Sequence, residues 1–187
     1  VKCRLIDKSE LSELEPHAAG IAGIHVPEAG IVDYRQVCSV LAEKIKIAGG
    51  QILTGERVHF ITPDQKSVSI QTSSGKEFLA ERVVNCSGLY SDHVADKAGA
   101  RPPMKIIPFR GEYYELNENA HGLVNNLIYP VPDPNFPFLG VHFTRMINGG
   151  VECGPNAVLA YAREGYSKLK INPSELIESL TYPGFLR

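Results

Sequence analysis

The chain has 187 residues, 43% of them hydrophobic and 21% charged, with 19 Lys+Arg against 21 Asp+Glu. That is the make-up of one sizeable soluble globular domain, or of two parts sharing a core. A formal net charge of −2 without a basic run argues against nucleic acid or an anionic membrane as the partner, and no apolar stretch nears the roughly 18 residues that a membrane span needs.

From Asp33 the stretch "DYRQVCSVLAEKIKIAGG" predicts the clearest helix. Asp33 can cap it, Gln36 holds the capping-box position, and Val37, Val40, Leu41, Ile45 and Ala48 form one apolar face. Gly49 and Gly50 end it. Next come short strands separated by turn signals at "TPDQK" and "SSGK", a small antiparallel meander. The meander feeds "RVVNCSGLYSD", in which Val83 and Val84 read as a buried strand and Leu89 onward, through Val94, Ala95 and Ala98 to Gly99, as a short helix. A strand that stops at small residues leaves a notch whose backbone N–H groups can meet an anionic or polar ligand; an ordinary strand-to-helix turn has the same pattern.

After "GARPP" the chain changes style. Strand candidates at residues 110–116, 127–131, 138–146 and 150–153 carry aromatics, and Asn148-Gly149 is a strong hairpin signal. "NPSELIESLTY" begins a last helix, with Pro173 in the first turn after Asn172 and Glu175 three residues beyond that cap. The expected fold class is α+β: part of a nucleotide-binding α/β domain, then a mostly antiparallel sheet with flanking helices.

The four cysteines, Cys3, Cys38, Cys86 and Cys153, stand far apart without a C-x-x-C pair. Neither a metal site nor a disulfide framework is therefore expected, and reduced thiols in a cytoplasmic setting are the simplest reading. The start "VKCRLIDKSE" lacks the order of a signal peptide. With no initiator Met and no structural close at "LTYPGFLR", the chain reads as a piece of a longer protein.

Chemistry is sparse in the pattern alone. The dinucleotide fingerprint G-x-G-x-x-G is absent, and "GIAG" at residues 20–23 neither has that spacing nor precedes a helix. In "FLGVHFTRM", alternation puts His142, Thr144 and Met146 on one face and Val141, Phe143 and Arg145 on the other. His142 and Thr144 can then face one pocket, although a lone strand His is also a common half-buried structural residue. Arg110, in "IIPFRGEYYEL", suits a carboxylate as well as it suits a surface salt bridge. Tyr129 reads as packing, Asp92 and Glu152 make no visible acid pair, and no nucleophile elbow is present.

Four stretches carry a resemblance: "ELEPHAAGIAGIHVPEAGIVDYRQVCSVLAEKIKIAGG", "VVNCSGLYSDHVADKAG", "IIPFRGEYYEL" and "YPVPDPNFPFLGVHFTRMINGGVECGPNAVLAYAREGY". In this order they resemble the middle portion of the L-2-hydroxyglutarate oxidase/dehydrogenase family, in the D-amino acid oxidase and glycine oxidase group of FAD-dependent oxidoreductases. Glu-Pro, the Gly-x-Val-Asp before a helix and the Asn-x-Ser/Ala-Gly after a strand belong to the whole group; the long "YPVPDP…GVHFT…GPNAV" run is more particular.

The resemblance implies an FAD-binding part at about residues 28–100, with residues 1–27 and 101–187 in the substrate-binding part. Small residues at Asn85, Cys86, Ser87 and Gly88 let the backbone approach FAD, and Val58 matches the position beside the adenine. The implied reaction oxidises an L-2-hydroxy dicarboxylate to the 2-oxo acid by hydride transfer to the flavin. It needs a base near neutrality, and His142 is the candidate for that base or for a substrate hydrogen-bond donor. Arg110 is the candidate for a substrate carboxylate, with Tyr129 and Thr144 as secondary pocket residues. Oxygen or a quinone is the expected electron acceptor, so that the protein is cytoplasmic with or without contact to a membrane surface. The glycine-rich FAD loop and the C-terminal part of the group are missing, and the 187 residues alone are expected to bind FAD weakly or not at all and to be inactive. Rival readings are a group member acting on an amino acid or glycerol 3-phosphate, and a non-catalytic module binding a small acid or a protein.

Overall fold

The computed structural model describes residues 1–135 and 140–186. Contacts divide the chain into two compact units, Val1–Leu41 with Gly111–Val158, and Ala42–Arg110 with Leu159–Arg187.

In the first unit, β1 (Arg4–Asp7) and β2 (Ala22–His25) pair antiparallel around α1 (Lys8–Leu14). Asp7 caps α1 by accepting the Glu10 N–H at 3.0 Å. None of these three elements is foreseen from hydrophobic periodicity, because each is too short to display a period. The larger sheet, which falls in this unit except for its end residues Phe109, Arg110 and Leu159, has the order β6-β8-β7, built from β6 (Phe109–Glu115), β7 (His142–Arg145) and β8 (Val151–Leu159). The β7–β8 hairpin is antiparallel and turns at the expected Asn148-Gly149, with Gly149 and Gly150 at φ of 90° and 89° where side-chain-bearing residues are strained. Ile6, Val124 and Val151 are the buried apolar side chains of this unit among the described residues. The strand expected over residues 127–131 reduces to one bridge, Ile128 opposite Phe143. Two prolines, Pro130 and Pro132, keep it from continuing, since neither has an N–H for a ladder. Residues 138 and 139 of another expected strand lie outside the described residues.

The second unit contains the antiparallel meander β3 (Val58–Pro63), β4 (Val68–Thr72) and β5 (Glu77–Ala80), in that order, as the turn signals require. A 3-10 turn (Gly88–Tyr90) leads into α3 (Ser91–Lys97), and α4 (Pro173–Leu180) follows an Asn172 cap that accepts the Glu175 N–H. Val83 and Val84 correct the sequence reading. No strand forms there, and Val84 is 83% exposed, because among the described residues no strand lies alongside to share a ladder.

Helix α2 (Tyr34–Ile47) forms where expected, with Asp33 accepting the N–H groups of Arg35 and Gln36 at 2.9 and 3.2 Å. Its apolar face is only partly covered by the described residues: Val40, Leu41 and Ile45 are 47–53% exposed. The helix follows the amphipathic pattern, but its apolar stripe stays about half exposed among the described residues.

Candidate active site

His142 opens β7 opposite Gly154 of β8 and is buried. Its Nδ1 lies 3.2 Å from the Gly140 carbonyl oxygen. A carbonyl only accepts, so Nδ1 carries the proton and the neutral ring leaves Nε2 as the basic atom. Among the described residues no hydrogen bond to Nε2 is found.

Two aromatic rings fix the imidazole plane. Tyr129 stacks on it with centroids 4.5 Å apart and planes 21° apart, and Tyr113 of β6 meets it edge-on at 6.4 Å. Tyr113 reaches this place because Gly154 has no side chain; a Cβ there would stand 2.6 Å from the Tyr113 ring. Sequence alternation brings His142 into view and the family resemblance adds Tyr129, but neither reaches Tyr113, whose role depends on the order β6-β8-β7. Thr144, half-buried two residues along β7, shares the His142 face and stands opposite Glu152.

The remaining predicted residues belong to the second unit. Arg110 is half-buried and its Nη1 donates to the carbonyls of Gly165 at 2.9 Å and Ser167 at 3.3 Å. Val58 is half-buried, and its carbonyl accepts from Lys97 Nζ at 3.0 Å. Residues 85–88 form an exposed ledge. Asn85 folds back to support it, donating from Nδ2 to the Ser91 carbonyl at 2.7 Å and accepting the Ser87 N–H at 3.2 Å. Gly88 has φ of 53°, and no atom lies within 4 Å of where its Cβ would be. With the Asn85 side chain engaged by Ser91 and Ser87, the ledge offers backbone, the Cys86 thiol and the Ser87 hydroxyl. Such a surface fits the close approach of a flat cofactor.

A buried ion pair braces the ledge from behind. Arg163 donates from Nη1 and Nη2 to the two Asp92 oxygens at 2.6 and 2.7 Å, and from Nη1 to the Leu89 carbonyl at 2.5 Å. The two residues are only 4% and 7% exposed. Asp92 also accepts the N–H groups of Ile106 and His93. Burial alone would push the Asp92 carboxyl up, but the guanidinium and the two N–H groups outweigh it and hold it at about 2, below the ordinary 3.8. Glu178, half-buried, sits 3.5 Å from Arg163 and also bonds His93 and Lys105. No sequence signal pairs Asp92 with Arg163, which stand 71 residues apart.

The α+β fold is shared with the crystal structure of L-proline dehydrogenase from P. horikoshii, at a TM-score of 0.70 and 19% identity, over 94% of this chain and 46% of that one. Residues 1–180 match the family of FAD dependent oxidoreductases, and the chain belongs to that family. Among curated proteins it is 55% identical to the L-2-hydroxyglutarate dehydrogenase of Indibacter alkaliphilus, over 97% of this chain and 46% of that protein. Its identity is 44% to the Escherichia coli K12 L-2-hydroxyglutarate dehydrogenase, over 97% of this chain and 43% of that protein. With the human mitochondrial L-2-hydroxyglutarate dehydrogenase it is 39%, over 98% of this chain and 42% of that protein. The chain therefore spans a little under half the length of these relatives. No helix among the described residues is long and apolar enough to cross a membrane, and no group of three or more His, Cys, Asp or Glu is placed to hold a metal ion.

Proposed function

We propose that this chain is part of a flavoenzyme oxidising the hydroxyl carbon of an L-2-hydroxy acid, in first place L-2-hydroxyglutarate, to the 2-oxo acid. The observation that carries the proposal is the agreement among relatives named L-2-hydroxyglutarate dehydrogenase, at 39% to 55% identity across nearly the whole chain. Residues 28–100 would serve the FAD-binding part, with residues 85–88 as a wall of the cofactor site and Val58 toward the adenine. Residues 1–27 and 101–187 would serve the substrate-binding part. Bound FAD supplies the two-electron acceptor for the hydride leaving the α-carbon.

The chain's own task is to place the substrate and take its proton. Nε2 of His142 accepts the hydroxyl proton as the C–H bond breaks, while the Nδ1–H bond to Gly140 holds the tautomer that makes this feasible. The imidazolium formed keeps that donor bond. Arg110 binds a substrate carboxylate, with its guanidinium oriented by the Gly165 and Ser167 carbonyls. Tyr129 and Thr144 shape the pocket beside His142. Electrons leave to oxygen or to a quinone; a membrane quinone would bring a protein otherwise read as cytoplasmic to the membrane surface.

The test is the flavin absorbance of the purified full-length protein, followed by anaerobic addition of L-2-hydroxyglutarate. Bleaching of the absorbance is the expected result. A flavin that stays oxidised with this acid but bleaches with an amino acid or glycerol 3-phosphate would move the substrate class, and a full-length protein without flavin would end the oxidoreductase reading. Purified alone, the 187-residue chain is expected to carry no stoichiometric flavin and to show no turnover. A yellow 1:1 complex would overturn that part.

A further inference from the structure

We infer that Glu15 is a positioning residue for His142, acting through the strap of residues 124–129 that lays Tyr129 on the imidazole. The inference rests on the reading of His142 as the base.

Glu15 follows the last residue of α1 and precedes Pro16, which cannot continue a helix. The residue before a proline is restricted to extended conformations; Glu15 has φ of −133° and ψ of 82°, while its own N–H closes the helix on the Leu11 carbonyl. The Glu-Pro pair thereby aims a carboxylate away from the helix end at a fixed angle. Glu15 is 5% exposed, and such a carboxylate is costly to bury unless its oxygens are occupied.

They are occupied by one short stretch. Oε2 accepts the Asn125 N–H at 3.0 Å; Oε1 accepts the Asn126 N–H at 2.5 Å and its Nδ2 at 2.7 Å. A fourth bond, from Asn125 Nδ2 to the Leu14 carbonyl at 3.1 Å, doubles the tie. Just before it, the Val124 carbonyl accepts from Arg145 Nη1 at 2.5 Å. Just after it, Ile128 and Phe143 exchange N–H···O bonds of 3.1 and 2.9 Å, and the next residue is Tyr129 on the His142 ring.

Both ends of the strap are thus held to β7, the strand that carries His142, and its middle is held by Glu15. A strap held only by the Val124 carbonyl and the Ile128–Phe143 pair can bow at residues 125–126, and a bow there strains that pair and loosens the seat of Tyr129 on the imidazole. Three charge-assisted bonds remove that freedom. The function assigned to Glu15 is therefore the orientation of His142 Nε2 rather than contact with substrate.

The experiment uses the full-length holoenzyme with histidine labelled with ¹³C at Cε1, in the native sequence, Glu15→Ala, Glu15→Gln and His142→Ala. Loss of one signal in His142→Ala identifies His142, and the stacked Tyr129 ring gives that signal an upfield shift. In Glu15→Ala the shift should fall away, with kcat lowered about tenfold or more and KM within about twofold, since orientation and not binding is lost. Glu15→Gln keeps the shape, loses the charge and turns an NH₂ toward one donor; both readouts should fall between the other two, and it supplies the answer if the alanine variant does not fold. An unmoved His142 signal in both Glu15 variants would overturn the inference, whether or not turnover drops, because a loss of stability alone does not move that ring. Should His142→Ala leave kcat unchanged, the base assignment itself fails, which is a separate result.

Discussion

Replacing Arg163 by Met is expected to destabilise the full-length protein by about 3–5 kcal/mol, because it leaves the Asp92 carboxylate buried without its cation. The pair is enclosed and bidentate, and the same guanidinium carries the Leu89 carbonyl, so one substitution strands several polar groups together. A double variant, Arg163→Met with Asp92→Leu, removes both charges and should recover much of the loss, although the Leu89 carbonyl and the Ile106 and His93 N–H groups then lose their partner. Urea unfolding of the single and double variants measures this. A single-variant loss below about 1 kcal/mol would be the behaviour of a solvated surface pair and would contradict the enclosure.

The sign of the pH dependence follows from the same pair. The folded Asp92 carboxyl titrates at about 2 against 3.8 when free, so its stabilisation is complete above about pH 4 and is lost as the pH falls toward 2. The gap in thermal midpoint between the native sequence and Asp92→Asn should therefore be wide at neutral pH and narrow steadily below about pH 4. A gap independent of pH down to 2 would mean that Asp92 does not ionise as the geometry requires. Leu89 adjoins Gly88, so if residues 85–88 wall the flavin site as proposed, flavin should dissociate more readily from Arg163→Met than from the native protein.

What was legible in the sequence follows the range of the forces involved. Local chemistry was readable: the Asp33 and Asn172 caps, the Asn148-Gly149 turn and the meander through residues 58–80 each depend on neighbours within a few positions. Long-range pairing was not. The bonds of Asp92 to Arg163 and of Glu15 to Asn126 span 71 and 111 residues, and nothing in local composition marks the partners. Val83 and Val84 failed for a related reason, because β-propensity states only that a residue suits a sheet, not that a neighbouring strand is present. The face of α2 teaches the converse. Its apolar stripe was read correctly from periodicity, yet Val40, Leu41 and Ile45 stay about half exposed, since the pattern records what a helix can bury and not what lies beside it. At the site, the strand face of His142 was legible because alternation is local, whereas Tyr113 entered only with the sheet order and the space above Gly154.

Removing the imidazole, by His142→Ala in the full-length enzyme, should lower kcat by about 10²-fold or more while flavin content stays at the native level. The reasoning starts from the tautomer. A hydroxyl hydrogen is lost as its carbon gives up hydride, so the transition state carries alkoxide character that a fixed acceptor relieves, and Nε2 is an acceptor because Nδ1–H is committed to the Gly140 carbonyl. Tyr129 and Tyr113 hold the ring, so little of that orientation has to be found during turnover. An alanine leaves water as the acceptor and opens a gap against Tyr129. His142→Gln offers a control of another kind: it can donate to Gly140 and fill much of the space but takes no proton, and should be about as slow as the alanine variant. With an L-2-hydroxy acid carrying deuterium at the α-carbon, the isotope effect on kcat distinguishes loss of the base from a slowed product release, because chemistry limits turnover in the first case and the effect grows. Native turnover in both variants would return His142 to a structural role beneath Tyr129.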